Sequence, residues 1–176
     1  MTIIVQTGAG TVVGANSYAD AAAVKAYWLT RGVDLSLTYS NTQIEIAAIE
    51  ATGYLDVRYP YIGRKIYKHQ STQWPRWQVP LFLQSIIPDV LIAATAIVAK
   101  KALEAVALFV DPTYEASGQV VLEDTTKVGP IETTIKYSDR ASPKLAESTP
   151  QFPEVTLLLK SDGLLASTST GQVARG

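Results

Sequence analysis

The sequence has no cysteine among its 176 residues, which excludes disulfides, thiolate nucleophiles and Cys-ligated zinc together. A single histidine, His69, leaves no cluster to hold a metal and no second imidazole to share acid-base chemistry. Charge is scarce as well. Charged residues make up 18% of the chain against 47% hydrophobic ones, a lean ratio for a chain that stays soluble alone and a mild sign of surface covered by partners. The formal net charge of -1 favours neither a nucleic-acid binder nor an acidic scaffold, so any electrostatic preference must be local. No apolar run reaches the length of a bilayer span: the longest, Val90 to Ala99, lies between Asp89 and the pair Lys100-Lys101. The N-terminus lacks the basic region, apolar stretch and small-residue cleavage site of a secretory signal, which predicts a soluble intracellular protein with no membrane partner.

Catalytic constellations are missing too. Glu45 and Glu50 lie five apart on an expected helix and face different ways, and Glu123-Asp124 sits at an expected turn, so no carboxylates converge. No serine occupies a GxSxG elbow. Gly8-Ala9-Gly10 invites a dinucleotide-loop reading, but the next glycine, Gly14, comes one residue late and no long strand precedes it. These absences predict a protein that is not an enzyme, with no catalytic residue, metal or cofactor.

What is present points to a mainly α fold. Ile3 to Val5 and Thr11 to Val13 read as short N-terminal strands around a glycine-containing turn. Ser17, with Asp20 three residues later, reads as the cap of a first helix carrying Tyr18, Ala21, Val24 and Trp28 to a stop at Gly32. Ser40 and Gln43 form a second capping box, and Ile44, Ala48, Ala51 and Leu55 mark a buried stripe that Pro60 ends. Pro88 opens a third helix expected to reach about Val110. From Val90 to Ala99 that helix is apolar all round, so it is either the central element of the core or covered by a neighbouring subunit. The second possibility makes Val90, Leu91 and Ile97 candidates for a subunit interface.

Periodicity then changes to two. Ile131, Thr133, Ile135 and Tyr137 alternate with polar residues as a half-buried strand, pairing with Gln119 to Leu122 as a hairpin arm. Ile131, Ile135 and Tyr137 join the interface candidates. Residues 138–150 read as a loop, and Pro153 starts a short helix with Val155, Leu158 and Leu159 that Gly163 closes. The expected organisation is therefore an extended N-terminal arm over 1–16 and a helical core over 17–163. That core carries a loop over 57–87 and a β arm over 119–137, and a flexible tail over 164–176 follows.

One segment stands out. Between Val57 and Pro88 there is no Asp or Glu, while Arg58, Arg64, Lys65, Lys68 and Arg76 alternate with Tyr59, Tyr61, Tyr67, Trp74 and Trp77. Aromatics usually pack and lone charges are usually solvated, so the first reading is a loop anchored by Trp74 and Trp77 with its cations in water. The second is proximity to DNA, because cations neutralise phosphates and aromatic faces stack on bases. The third is docking onto an acidic protein surface. Arg64, Lys65, Lys68, Trp74, Arg76 and Trp77 are the candidates for either contact, and His69 is expected to be a polar loop residue.

The order of short motifs adds a resemblance. Asn16-Ser17-Tyr18 with Ala26-Tyr27 and Arg31-Gly32 comes first, then Ala47 to Thr52 with Tyr54-Leu55-Asp56 and Arg58-Tyr59. Gly63-Arg64, Trp74-Pro75-Arg76 and Ile87-Pro88 follow, then Lys127 to Ile131 and Phe152-Pro153 with Leu157 to Leu159. Together they resemble the phage proteins labelled DnaT-like single-stranded DNA-binding proteins, over roughly residues 16–160. Two departures are visible: the lead before Ser17 is longer than usual, and Gly53 stands where a polar helix former is preferred.

Many proteins of that kind resemble head-to-tail adaptors of tailed bacteriophages. The resemblance therefore implies a structural subunit that forms a ring with copies of itself, typically twelve, beneath a portal protein and above a stopper or tail protein. It implies a place at the neck of the virion around the DNA channel, touching DNA without sequence specificity, after synthesis in the host bacterial cytoplasm. The alternative it leaves is a replication accessory that binds single-stranded DNA.

Overall fold

The Ser40 box forms as written. In a computed structural model that describes residues 2–8, 12–109, 121–127, 132–137 and 150–166, the Ser40 hydroxyl accepts the Gln43 N–H (3.3 Å) and Gln43 Oε1 accepts the Ser40 N–H (2.9 Å). Helix α2, Asn41–Arg58, starts there. Its buried stripe holds Ile44, Ala48, Ala51 and Leu55 as the spacing predicts, widened by Ala47, Thr52 and Tyr54. Gly53 lies on the exposed side with open space where a Cβ would stand, and the helix continues through it. Its cost is thus the ordinary propensity loss of about 1 kcal/mol.

Helix α1, Ala21–Leu29, begins three residues later than the Ser17 cap requires. Asp20 is the cap, its carboxylate accepting the Ala23 N–H at 2.7 Å. Ser17 has been taken by tertiary contacts: its carbonyl accepts the Gln6 N–H (2.7 Å), its hydroxyl donates to the Ala19 carbonyl (2.7 Å), and it lies against the Thr52 hydroxyl of α2. Val5 pairs in parallel with Ser17 as a single bridge, so among the described residues the N-terminal segment lies along the 15–19 turn and forms no strand pair of its own. Gly32 (φ +78°) ends the α1 region in the left-handed conformation expected of a stop.

Helix α3 spans Asp89–Leu103 with Pro88 as its cap. It stops well short of Val110. Glu104 folds back to pair with Lys100, Ala105 turns left-handed (φ +59°), and residues 104–106 are exposed, so the turn that follows Leu103 has no buried face to continue the helix. Within its span α3 packs against α1, α2 and α4, the last being Pro153–Ser161. Leu91, Ala94 to Ala99 and Val155 and Leu159 of α4 form one interior. Trp28 ties α1 to this rod, its indole N–H donating to the Ala96 carbonyl (2.9 Å) while the Lys100 ammonium sits 5.0 Å from the ring centre.

The apolar helix is thus covered by its own chain. Leu91 and Ile97 are 0% and 2% exposed and Val90 is half-buried, so the first two serve the core and are not available as a subunit interface. Past α4, closed by Gly163 (φ +69°), Leu164 is fully buried and Leu165 bridges Tyr61. Residues 164–166, assigned to the tail by composition, are therefore held against the start of the 57–87 loop. Residues 167–176 lie outside the described residues.

Residues 107–151 form a second compact unit. In it β3, Val121–Lys127, pairs antiparallel with β4, Glu132–Tyr137, setting Thr125 opposite Thr134, Thr126 opposite Thr133 and Asp124 opposite Ile135, with a bulge between Val121 and Glu123. The fold is mainly α with a β-hairpin arm. Ile131, and the side chains of Ile135 and Tyr137, lie outside the described residues. Among the described residues no helix is long and apolar enough to cross a membrane.

A core role for Leu91 predicts that Leu91→Ala lowers unfolding free energy by about 2–5 kcal/mol. The loss, read from denaturant melts, should be the same at dilute and concentrated protein; a loss that shrinks on dilution would return the residue to an interface.

Candidate functional site

Asp56 closes α2 from within. A carboxylate in the last helical turn faces the negative end of the helix dipole and needs other support. It receives the Tyr18 hydroxyl at 2.5 Å and the Gln73 N–H at 2.9 Å. The Tyr18 oxygen in turn accepts the Trp74 N–H at 3.1 Å. One carboxylate thereby joins the N-terminal turn, the end of α2 and the middle of the 57–87 loop. Burial raises its pKa from 3.8 to about 6, opposed by the two hydrogen bonds and by the positive charges of Lys65 and Arg76. At neutral pH it remains mainly ionised.

Around this tie the loop is pinned by its own side chains. Trp74, 1% exposed, packs edge-on against Tyr61 and Phe82. The Arg76 guanidinium spends its donors on loop acceptors: Nε on the Ile62 carbonyl (2.7 Å), Nη1 on Gln73 Oε1 (2.9 Å) and Nη2 on the Gly63 carbonyl (2.8 Å). Strands β1, Arg64–Lys65, and β2, Arg76–Trp77, pair across this clamp. Gly63 is required there, since it has φ +69° and a Cβ would stand 2.0 Å from the Trp77 carbonyl oxygen. Gly8 has a similar part under the loop's far side, where a Cβ would strike the Ser85 carbonyl.

The six sequence candidates therefore divide. Trp74 and Arg76 are scaffold, with neither a free face nor a free guanidinium to offer. Lys65 is half-buried, its ammonium 3.3 Å from the Gln70 carbonyl. Arg64, Lys68 and Trp77 are exposed, and Tyr67 joins them at 51% exposure. His69 and Tyr67 line a shallow groove of about 280 Å³ with Val12, Val13 and Gly14. Among the described residues no group of three or more His, Cys, Asp or Glu could hold a metal.

The loop's most exposed part was not among those candidates. From Trp77 to Pro88 the chain carries no charge, and Leu81, Leu83 and Ile86 are 101%, 68% and 45% exposed. Leu81 and Gln78 hold left-handed backbone (φ +67° and +59°), uncommon for residues with a side chain and unfavourable unless the surroundings enforce it. Beneath them Val79 and Ile87 are buried and Phe82 packs on Trp74. The result is an apolar tip on a rigid base. The sequence did carry a sign of it, a twelve-residue stretch without charge, and of Asp56, an acid where a helix end disfavours one.

The chain belongs to a known family. Its family model is described as "Putative DnaT-like ssDNA binding protein" and matches residues 1–176. No curated protein and no solved structure matches the chain. Family membership accounts for the collinear motifs, and several of them now have structural roles. Tyr54-Leu55-Asp56 supplies core and tie, Gly63-Arg64 the clamp turn, and Trp74-Pro75-Arg76 the loop's anchor.

The raised pKa of Asp56 makes stability pH-dependent with a definite sign. Between about pH 4 and 6 the folded protein holds a proton that the unfolded chain has released, so stability falls as pH rises through this window and levels off above it. The full span corresponds to about 3 kcal/mol. Denaturant melts of Asp56→Asn should lack this component. Parallel pH profiles for wild type and variant would contradict the assignment.

Proposed function

We propose that this protein is a structural head-to-tail adaptor of a tailed bacteriophage, a ring-forming subunit that docks on the portal through the tip of its 57–87 loop. The observation that carries the reading is the tip itself. Leu81, Leu83 and Ile86 form an uncharged apolar surface whose strained backbone is held outward by Asp56, Trp74 and Arg76, and such a surface suits the buried centre of a protein interface. Arg64 and Lys68, exposed elsewhere on the same loop, suit an acidic partner surface. The collinear motifs supply the rest of the proposal: copies of the same chain in a ring, a stopper or tail protein on the far side, DNA passing without sequence-specific contact, and a place at the virion neck.

A second reading is single-stranded DNA binding, favoured by the family description and by the exposed group Arg64, Tyr67, Lys68 and Trp77. Two features weigh against it as the main activity. Trp74 and Arg76, two of the six residues expected to stack on bases or bind phosphates, are committed to the scaffold, and the apolar tip has no part in contacting phosphates.

Sedimentation with the portal protein of the same phage distinguishes the two. Wild type should pellet stoichiometrically with portal rings, and Leu81→Asp combined with Leu83→Asp should reduce pelleting at least tenfold without lowering the melting temperature. A wild type that stays in the supernatant removes the adaptor reading. The DNA reading predicts submicromolar binding to oligonucleotides at low salt, steeply salt-dependent and weakened by Trp77→Ala; no shift at low salt removes it.

A further inference from the structure

Asp56 and Arg76 hydrogen-bond to Tyr18, to residues 61–63 and to Gln73. They fix the loop where it rises towards the tip and leave its return, through Ser85 to Ile87, to other contacts. One segment meets the loop on both sides. Residues 2–8 lie along the 15–19 turn, where the Ile4 N–H donates to Asn16 Oδ1 (2.8 Å), Asn16 Nδ2 donates to the Thr2 carbonyl (3.1 Å) and the Gln6 N–H donates to the Ser17 carbonyl (2.7 Å).

Past that turn the segment reaches the loop. The Gln6 side chain is buried, a costly place for an amide unless it is hydrogen-bonded. Its Nε2 donates to the Thr7 carbonyl (2.7 Å), and its Oε1 lies 3.2 Å from the hydroxyl of Thr72, itself buried and 2.7 Å from the Trp74 carbonyl. Two residues on, Gly8 runs so close to the Ser85 carbonyl that a Cβ has no room. Gly8 lacks the left-handed φ of Gly14 and Gly63, so its position requires space and not conformation. Residues 6–8 thus touch the loop once before the tip and once after it.

Between these two contacts the loop has little of its own to keep its shape. The Phe82 N–H donates to the Val79 carbonyl (3.4 Å) and the Ile86 N–H to the Leu83 carbonyl (3.1 Å), while Gln78 and Leu81 are left-handed. Such backbone persists only where the surroundings over-determine it, and two turn bonds do not. The spacing between the two feet of the tip must therefore be set from outside.

We infer that residues 2–8 are a strap across the feet of the Leu81–Ile86 tip, positioned by Asn16, Gln6 and Gly8, and that seating of the strap is coupled to docking of the tip. The inference rests on the adaptor reading in taking the portal as what the tip meets. Asn16 holds the strap at residues 2 and 4, Gln6 meets the rising foot and Gly8 the returning one. Coupling of this kind runs both ways: if a loosened strap weakens docking, docking tightens the strap by the same factor.

Amide hydrogen exchange on the full chain reads both directions. Asn16→Ala loosens the strap without altering a residue of the loop, and Gly8→Val sets a side chain against the Ser85 carbonyl. In both, the Phe82 and Ile86 amides should exchange about tenfold faster while those of α2 and α3 keep their wild-type rates, and the protein concentration for half-maximal pelleting with portal rings should rise about tenfold. In wild type, portal rings should slow exchange at Ile4 and Gln6, whose N–H groups belong to the strap and not to the docking surface. Should Gly8→Val also lose protection in α2 and α3, Asn16→Ala decides alone. Free exchange at Ile4 and Gln6 with unchanged rates at Phe82 and Ile86 would show a lifted strap under an intact tip and overturn the inference. Faster exchange at the tip with undiminished pelleting would overturn the coupling and leave the adaptor reading intact. If wild type ignores portal, the adaptor reading falls, and exchange in the free variants still decides for the strap if the tip amides speed up and against it if they do not.

Discussion

The buried carboxylate of Asp56 is the constraint on which the rest of the loop depends. Removing a charge from water is costly, and here burial outweighs two hydrogen bonds and two nearby cations by enough to raise the pKa to about 6. Such a cost persists where the group satisfies donors that nothing else reaches. Without it the Gln73 N–H and the Tyr18 hydroxyl would be left buried and unpaired, and through Tyr18 the Trp74 N–H would lose its orientation. The tie therefore acts as a specificity device: it fixes where a long loop of few regular hydrogen bonds must lie.

That placement explains why the positive segment behaves as two different surfaces. Facing inward, Arg76 replaces missing sheet hydrogen bonds by donating to the carbonyls of residues 61–63, and Trp74 fills the volume beneath. Facing outward, Arg64, Lys68 and Trp77 stay in solvent, and the chain beyond them is forced through two left-handed residues to present Leu81. Composition alone gives both sets the same appearance. Hydrogen bonding separates them, because an arginine whose five N–H donors all go to backbone and amide oxygens has none left for a phosphate or an acidic partner.

Local chemistry in the sequence was legible where a residue acts on its immediate neighbours. The Ser40-Gln43 box, the stops at Gly32 and Gly163 and the buried stripe of α2 need only contacts within one or two turns, and each appears as spacing predicts. The misplaced first cap shows the limit. Ser17 and Asp20 are both capable caps, and what decided between them was Thr52, thirty-five residues away, which holds Ser17 in a buried turn and leaves the cap to Asp20. The end of α3 is a similar case: helix propensity continues past Leu103, but residues 104–106 lie exposed and the backbone turns left-handed at Ala105. Trp74 meets the first reading of the loop, as an anchor, whereas Arg76 and Leu81 were illegible, since their fates depend on the Asp56 tie and on close approaches at Gly8 and Gly63 that no pattern within the loop records.

The burial of α3 also changes what an argument for assembly can rest on. A helix apolar on every face reads in sequence as an invitation to a partner, yet α1, α2 and α4 already cover it, so its hydrophobicity says only that it is central. The uncovered apolar area of this unit lies instead at the loop tip, where Leu81, Leu83 and Ile86 are exposed. The left-handed residues Gln78 and Leu81 hold those side chains outward above the buried Val79 and Ile87, so the exposure is built into the backbone of the loop and is not the remainder of an unfinished core.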